Sequence, residues 1–230
     1  MDQASNSLIE NDFRPVRGWM LLAFLAVAAV TCGAVLYLMA PILLTERGQL
    51  LAMGALYAAL LVSVVVVVLP LGRDALPALA IRRAGWRGLV LGPIATIVLS
   101  LLASQLTPEL QGMKDVERMM HQPNALLFGL LFLGVLAPLV EELVFRGLLY
   151  GWIEARWGWH VAYWVTSLGF AVAHYQWGAE GWARLYYALA VLPLGLMFGW
   201  LRRSTNSLLP SFASHLVNNS FAVFGAYYNL

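Results

Sequence analysis

The chain has 230 residues, of which 61% are hydrophobic and only 11% charged, with a mean hydropathy of +0.74. A soluble domain carries roughly 25% charged residues, so this composition excludes a soluble globular protein, a disordered chain and a nucleic-acid module. The net charge of +2 is too small for a polyanionic partner, and the chain is expected to work without nucleic acid.

Continuous apolar runs such as Leu60–Pro70 (LLVSVVVVVLP) lack the alternation of a membrane β-barrel strand. In lipid the remaining way to satisfy the backbone is the helix. The expected fold is an all-α polytopic membrane protein of about seven transmembrane helices, with six to eight as the range. In chain order, a polar segment over residues 1–17 ends in Arg14 and Arg17. Apolar runs follow at Gly18–Leu44, Leu50–Leu71, Gly88–Leu106, Asn124–Gly151, Trp159–Ala173, Leu185–Leu201 and Leu208–Tyr228. Each approaches the roughly 20 residues that cross a bilayer. The first is longer than a signal-peptide core and is expected to stay uncleaved. The stretch Arg73–Arg87 suggests a short interfacial helix, and Thr107–Pro123 is the longest polar connection.

Basic residues are unevenly shared between the two sides. One set of loops holds Arg14, Arg17, Arg73, Arg82, Arg83, Arg87, Arg156, Arg202 and Arg203; the other holds Arg47, Lys114, Arg118 and Arg184. Positive charge favours the cytoplasmic face, so the N-terminus is expected inside, in a bacterial inner membrane. Cys32 lies in an apolar run and reads as packing. His121 and His160 read as solvated. Trp152, Trp157, Trp159, Trp164, Trp177 and Trp182 gather at the ends of two spans, as an interfacial belt does.

Three groups of polar residues stand where a membrane disfavours them. Glu141, Glu142 and Arg146, in APLVEELVFRGLLYG, interrupt a long uncharged run, and each ionisable group at mid-depth costs on the order of 2.5–3.5 kcal/mol. Glu142 and Arg146 are four apart and pair on one helix face. Glu141 points about 100° away and lacks a partner in its own segment, which makes it a candidate proton acceptor. A structural clamp between helices is the alternative. His174 is the second group. Glu141 lies 17 residues before Gly158 and His174 lies 16 after it. A helical hairpin centred on that glycine puts both at one height, able to hold a water between them. A backbone-bonded histidine at a span end is the alternative. The third group is SHLVNN, where His215 and Asn219 share a helix face and Asn218 borders it. They offer donors for an oxyanion, or polar contacts between helices. Hairpin counting leaves His215 several residues from the level of His174. The first three spans carry essentially no such groups and read as scaffold. The expected division is therefore 1–17 polar segment, 18–123 scaffold helices and 124–230 catalytic core.

The ordered set of EELVFR, of Phe170 with His174, and of His215 with Asn219 resembles the EExxxR, FxxxH and HxxxN motifs of the CPBP family, the CAAX-protease and bacteriocin-processing membrane proteins. The resemblance covers roughly Ala125–Leu230. It implies a glutamate-dependent intramembrane endopeptidase similar to type II CAAX prenyl endopeptidases. Glu141 and His174 would activate a water, and His215 and Asn219 would stabilise the oxyanion. Glu142 and Arg146 would support them, with the roles of the two glutamates open to exchange. No cofactor and no metal is expected. The partners would be the lipid bilayer and a peptide or protein substrate, lipidated or not. Two other readings are a non-catalytic membrane scaffold or immunity protein, and a zinc-dependent membrane protease using Glu141, His174 and His215. The chain lacks the HExxH pair of many zinc proteases.

Overall fold

The computed structural model describes residue 16 and residues 18–104, 111–175 and 183–228. Most of the polar segment 1–17, with Arg14 and Arg17, lies outside the described residues, as do Trp177 and Trp182. The described residues form helices joined by turns, with no strand among them. Five helices are long and apolar enough to cross a membrane: Gly18–Ile42, Glu46–Ala78, Trp86–Ser104, Ala125–Ala173 and Leu185–Thr205. The protein is an all-α polytopic membrane protein.

Helices α1 (Gly18–Met39) and α2 (Glu46–Val68) pack side by side. Met20, Phe24 and Ala28 of α1 share one core with Val64, Val67 and Val68 of α2, and Thr31 and Ser63 hydrogen-bond across the seam at 3.1 Å. Pro41 tightens the turn between them. The Thr45 hydroxyl accepts from Gly48 N–H at 3.0 Å, an N-cap, and Glu46 places its charge at the positive end of α2. Away from the core, Leu22 and Val30 are about 70% and 72% exposed, as a lipid-facing surface requires.

Residues 73–87 depart from the expected interfacial helix. Helical geometry stops at Ala78, and Leu79 and Ala80 are buried. Ala80 has φ 54°, and its carbonyl accepts from Leu208 N–H at 2.8 Å. The Arg82 carbonyl accepts from the Ser207 hydroxyl at 2.7 Å. A polar backbone turn docked on another turn replaces an isolated amphipathic helix here, because it satisfies three backbone groups and a hydroxyl that a bilayer would leave bare. Helix α3 (Trp86–Ser104) follows. The polar connection 107–123 likewise contains a helix, α4 (Gln111–Met120), with Met119 and Met120 buried against Leu50, Ala125 and Val223.

The next 49 residues, Ala125–Ala173, would span about 73 Å at 1.5 Å per residue, far more than one bilayer crossing. They fold back at Gly158, whose φ of 78° and ψ of 169° suit glycine and no side-chain-bearing residue well. The result is two rods, α5 (125–157) and α6 (159–173). Phe145 meets Phe170 edge to face at 5.4 Å, which sets the hairpin register. Within α5 two widened π-helical turns, Leu130–Leu136 and Leu143–Leu149, flank the α-helical Ala137–Glu142. Such turns are rare and concentrate at functional sites.

Helix α7 (Ala183–Thr205) packs on α6 through Gly195 and Gly199. A Cβ at Gly195 would lie 3.0 Å from the Ser167 carbonyl oxygen, and one at Gly199 would lie 2.9 Å from the Ser167 hydroxyl. Glycines spaced by four let helix backbones approach this closely. Asn206, at φ 49°, reverses the chain into α8 (Leu209–Tyr228). Among the described residues helices α1 to α3 and α5 to α8 give seven rods, and five candidate spans are long and apolar enough to cross a membrane, one of them folded into the α5–α6 hairpin.

Candidate active site

The polar residues of α5, α6 and α8 meet in one cluster. Glu142 and Arg146 are fully buried and joined by a 2.9 Å ion pair. The second amino group of Arg146 donates to the Gly195 carbonyl at 2.9 Å, which also accepts from the Ser167 hydroxyl at 3.1 Å. Phe170, the aromatic of the second motif, lies under the guanidinium, whose carbon is 4.4 Å from the ring centroid. Phe198 flanks it at 5.4 Å. Arg146 is thus held by a carboxylate, a carbonyl and two ring faces, the combination that compensates a buried cation.

His215 occupies the other side of Glu142. Its Nδ1 lies 3.2 Å from Glu142 Oε1, and its ring stacks on Phe198 with centroids 4.7 Å apart. Its Nε2 points the opposite way, 3.7 Å from Glu141 Oε2. His174 approaches the same oxygen from α6, with Nε2 at 3.9 Å. The other nitrogen of His174, Nδ1, is 2.8 Å from the Phe170 carbonyl. A carbonyl only accepts, so Nδ1 carries the proton and a neutral His174 presents a bare Nε2 toward Glu141. Backbone bonding at a span end and presentation to the cluster are both realised in this one residue.

Glu141 joins these contacts from the middle. Oε1 accepts from the Tyr57 hydroxyl at 2.7 Å. Oε2 is buried, faces both histidines and has no hydrogen-bond partner among the described residues. The side chain is 14% exposed where Glu142 is fully buried, so the two adjacent carboxylates sit in different surroundings.

From α2, within the spans read as scaffold, the Tyr57 hydroxyl reaches Glu141. Its signal in the sequence is a lone tyrosine inside QLLAMGALYAALL, since a tyrosine hydroxyl in an apolar layer needs a partner. The mismatch in height between His174 and His215 also resolves. His215 and Phe198 stack about the Asn206 turn, while Phe198 reaches Phe170 at 6.1 Å. Large aromatic side chains between the helices bridge a gap that counting along the rods leaves open.

Asn219 makes its hydrogen bonds outside the cluster. One turn beyond His215, its Nδ2 donates to the Leu133 carbonyl at 3.1 Å, and its Oδ1 accepts from Asn218 at 3.4 Å. Among the described residues no group of three His, Cys, Asp or Glu side chains is arranged to hold a metal ion. His160 is exposed, and His121 is exposed in the turn before α5.

Residues 123–221 match the family model of the type II CAAX prenyl endopeptidases, Rce1-like. Over these 99 of 230 residues the chain is similar to that family. The match spans α5 to most of α8 and includes Glu141, Glu142, Arg146, His174, His215 and Asn219, while Tyr57 lies outside it. No curated protein and no solved structure matches the chain. The similarity supports a CAAX-protease-like intramembrane endopeptidase acting on a peptide or protein.

Proposed function

We propose that the protein cleaves a peptide bond within the membrane by a water activated between Glu141 and His174. The observation that carries this reading is Glu141 Oε2, buried and unpartnered, with the Nε2 atoms of His174 and His215 at 3.9 and 3.7 Å. These separations are too long for direct hydrogen bonds, and a water at the apex of the three atoms would bond to each.

In this mechanism Glu141 takes one proton from the water while His174 Nε2 accepts a hydrogen bond from the other. The oxygen attacks the scissile carbonyl carbon. The carbonyl electrons move onto oxygen, and His215 Nε2–H and an N–H of Asn219 donate to that oxyanion. When the intermediate collapses, the carbon–nitrogen bond breaks and the leaving amine takes the proton held by Glu141. Glu142 accepts from His215 Nδ1–H and from Arg146, which orients the ring. Two carboxylates against one guanidinium leave a net negative charge, and an imidazolium at His215 would neutralise it. The exposure of Glu141 and the enclosure of Glu142 support this division of roles.

The test uses purified protein in liposomes and a fluorescence-quenched peptide ending in a CAAX sequence, with and without a farnesyl group on its cysteine. Glu141→Gln and His174→Ala are each expected to lose cleavage by at least about 100-fold, the scale of general base catalysis, while keeping a monodisperse elution profile. Wild-type cleavage by Glu141→Gln would reject the mechanism.

We also propose that the end of the bundle gathering Gly18, Arg82, Arg156 and Arg202 faces the cytoplasm of a bacterial cell, by the bias of positive charge. Gly18 abuts Trp152 and Arg156, Ser207 reaches Arg82, and Arg202 lies 4.0 Å from Glu154. An Arg83→Cys variant in a Cys32→Ala background should react with an impermeant maleimide only after permeabilisation. Labelling of intact cells would reverse the orientation.

A further inference from the structure

The two oxygens of a carboxylate are chemically equivalent until a neighbour distinguishes them. At Glu141 the neighbour is the Tyr57 hydroxyl, which donates to Oε1 at 2.7 Å, a well-formed O–H···O bond. The bond leaves Oε2 as the oxygen facing His174 and His215. Tyr57 sits mid-way along α2, one turn after Gly54. At Gly54 a Cβ would lie 2.6 Å from the Phe132 ring of α5, so the two helix backbones are close and the hydroxyl is held in reach.

We infer that Tyr57 is a positioning residue, which fixes the Glu141 carboxylate with Oε2 as its proton-accepting oxygen and makes α2 a part of the active site. This rests on the proposed role of Glu141 as base. Freed of the hydroxyl, the carboxylate would rotate about its last torsion, a broad one for glutamate. Oε2 would then meet the water in a fraction of molecules. The loss falls on the chemical step and leaves substrate binding alone. It also follows that residues 123–221 by themselves carry an incomplete site.

The experiment compares wild type, Tyr57→Phe and Glu141→Gln in liposomes, with the quenched CAAX peptide and full saturation curves. Tyr57→Phe should lower kcat by about 10- to 100-fold, the scale of one hydrogen bond to a charged group, with KM within about twofold. A kcat within twofold of wild type, or a raised KM at unchanged kcat, would overturn the inference while an inactive Glu141→Gln kept the mechanism. An active Glu141→Gln would remove both. The contact has its own readout independent of turnover. Any fall in melting midpoint from Tyr57→Phe should disappear in a Glu141→Ala background, and an equal fall in both backgrounds would show that the hydroxyl acts elsewhere.

Discussion

Asn219 donates its side-chain amide to the backbone carbonyl of Leu133 at 3.1 Å, and Leu133 lies in the first widened turn of α5. The second widened turn has the same device. Arg202 Nε donates to the Arg146 carbonyl at 3.1 Å. A π-helical turn misdirects its carbonyls relative to the ordinary ladder, and in lipid a freed carbonyl needs a donor from a neighbouring helix. Helices α8 and α7 each supply one, so the two irregular turns that flank Glu141 and Glu142 are held from outside α5.

That geometry separates two roles for Asn219. The amide has two N–H groups, and one is used on Leu133, leaving the other for an oxyanion. Asn219→Leu keeps the approximate shape and removes both donors without adding a charge. We expect kcat to fall by about 10²- to 10³-fold, as for loss of one oxyanion donor. The cost in stability should be only about 0.6 kcal/mol, typical of an interhelical hydrogen bond in a membrane. Saturation kinetics and a thermal melt on the same preparation decide it. A drop in activity no larger than the drop in folded protein would leave Asn219 as a turn cap alone.

Arg146 is the residue whose loss should damage the fold most. Arg146→Met leaves the Glu142 carboxylate fully enclosed without its ion pair, and removing one partner of a buried pair costs about 3–5 kcal/mol. It also removes a donor from the Gly195 carbonyl. The variant should accumulate poorly and elute as aggregate. The double variant Glu142→Leu, Arg146→Met, which removes both charges of the pair, should recover folded protein while remaining inactive. Size-exclusion profiles of the two in parallel give the answer. Equal yields of Arg146→Met and wild type would mean that water reaches Glu142.

Much of this site was legible in the sequence because charged and imidazole groups stand out against an apolar background. Glu142 and Arg146 pair as their spacing of four requires. Gly158 turns the hairpin, and Glu141 meets His174 as counting from that glycine predicts. Three things were not legible. Tyr57 is an ordinary aromatic until a carboxylate is placed beside its hydroxyl. His215 approaches Glu141 beside a stacked Phe198 ring, a side-chain arrangement that linear counting along rods does not contain. The docking of residues 79–82 on the Asn206 turn depends on the backbone carbonyls of Ala80 and Arg82 as acceptors, to which side-chain pattern is blind.

The zinc reading and the water reading differ in a measurable way. If Glu141 and the two histidines act on water without a metal, treatment with 1,10-phenanthroline or EDTA should leave kcat and KM unchanged. Metal analysis of the active protein should give well under one equivalent of zinc. Activity lost on chelation and restored by stoichiometric zinc would replace the proposed mechanism with Lewis-acid activation of the water.

The last prediction concerns Gly195, whose carbonyl joins Arg146 of α5 and Ser167 of α6 to α7. A methyl group there would sit 3.0 Å from the Ser167 carbonyl oxygen and 3.3 Å from the Phe170 ring. Backbone cannot swing aside as a flexible side chain does, so α6 and α7 must part by some tenths of an ångström. Overpacking of this kind costs about 1–3 kcal/mol. It also lengthens the bonds that hold Arg146, and through Arg146 the carboxylate that orients His215. Gly195→Ala should therefore lower both the melting midpoint and kcat. Gly33→Ala is the matched control: it lies in α1 with nothing within 4 Å of a Cβ, and alanine is the better helix former by about 1 kcal/mol. Gly33→Ala should melt at or above wild type with full activity. Equal melting of the two variants would show that the α6–α7 contact does not depend on glycine at 195.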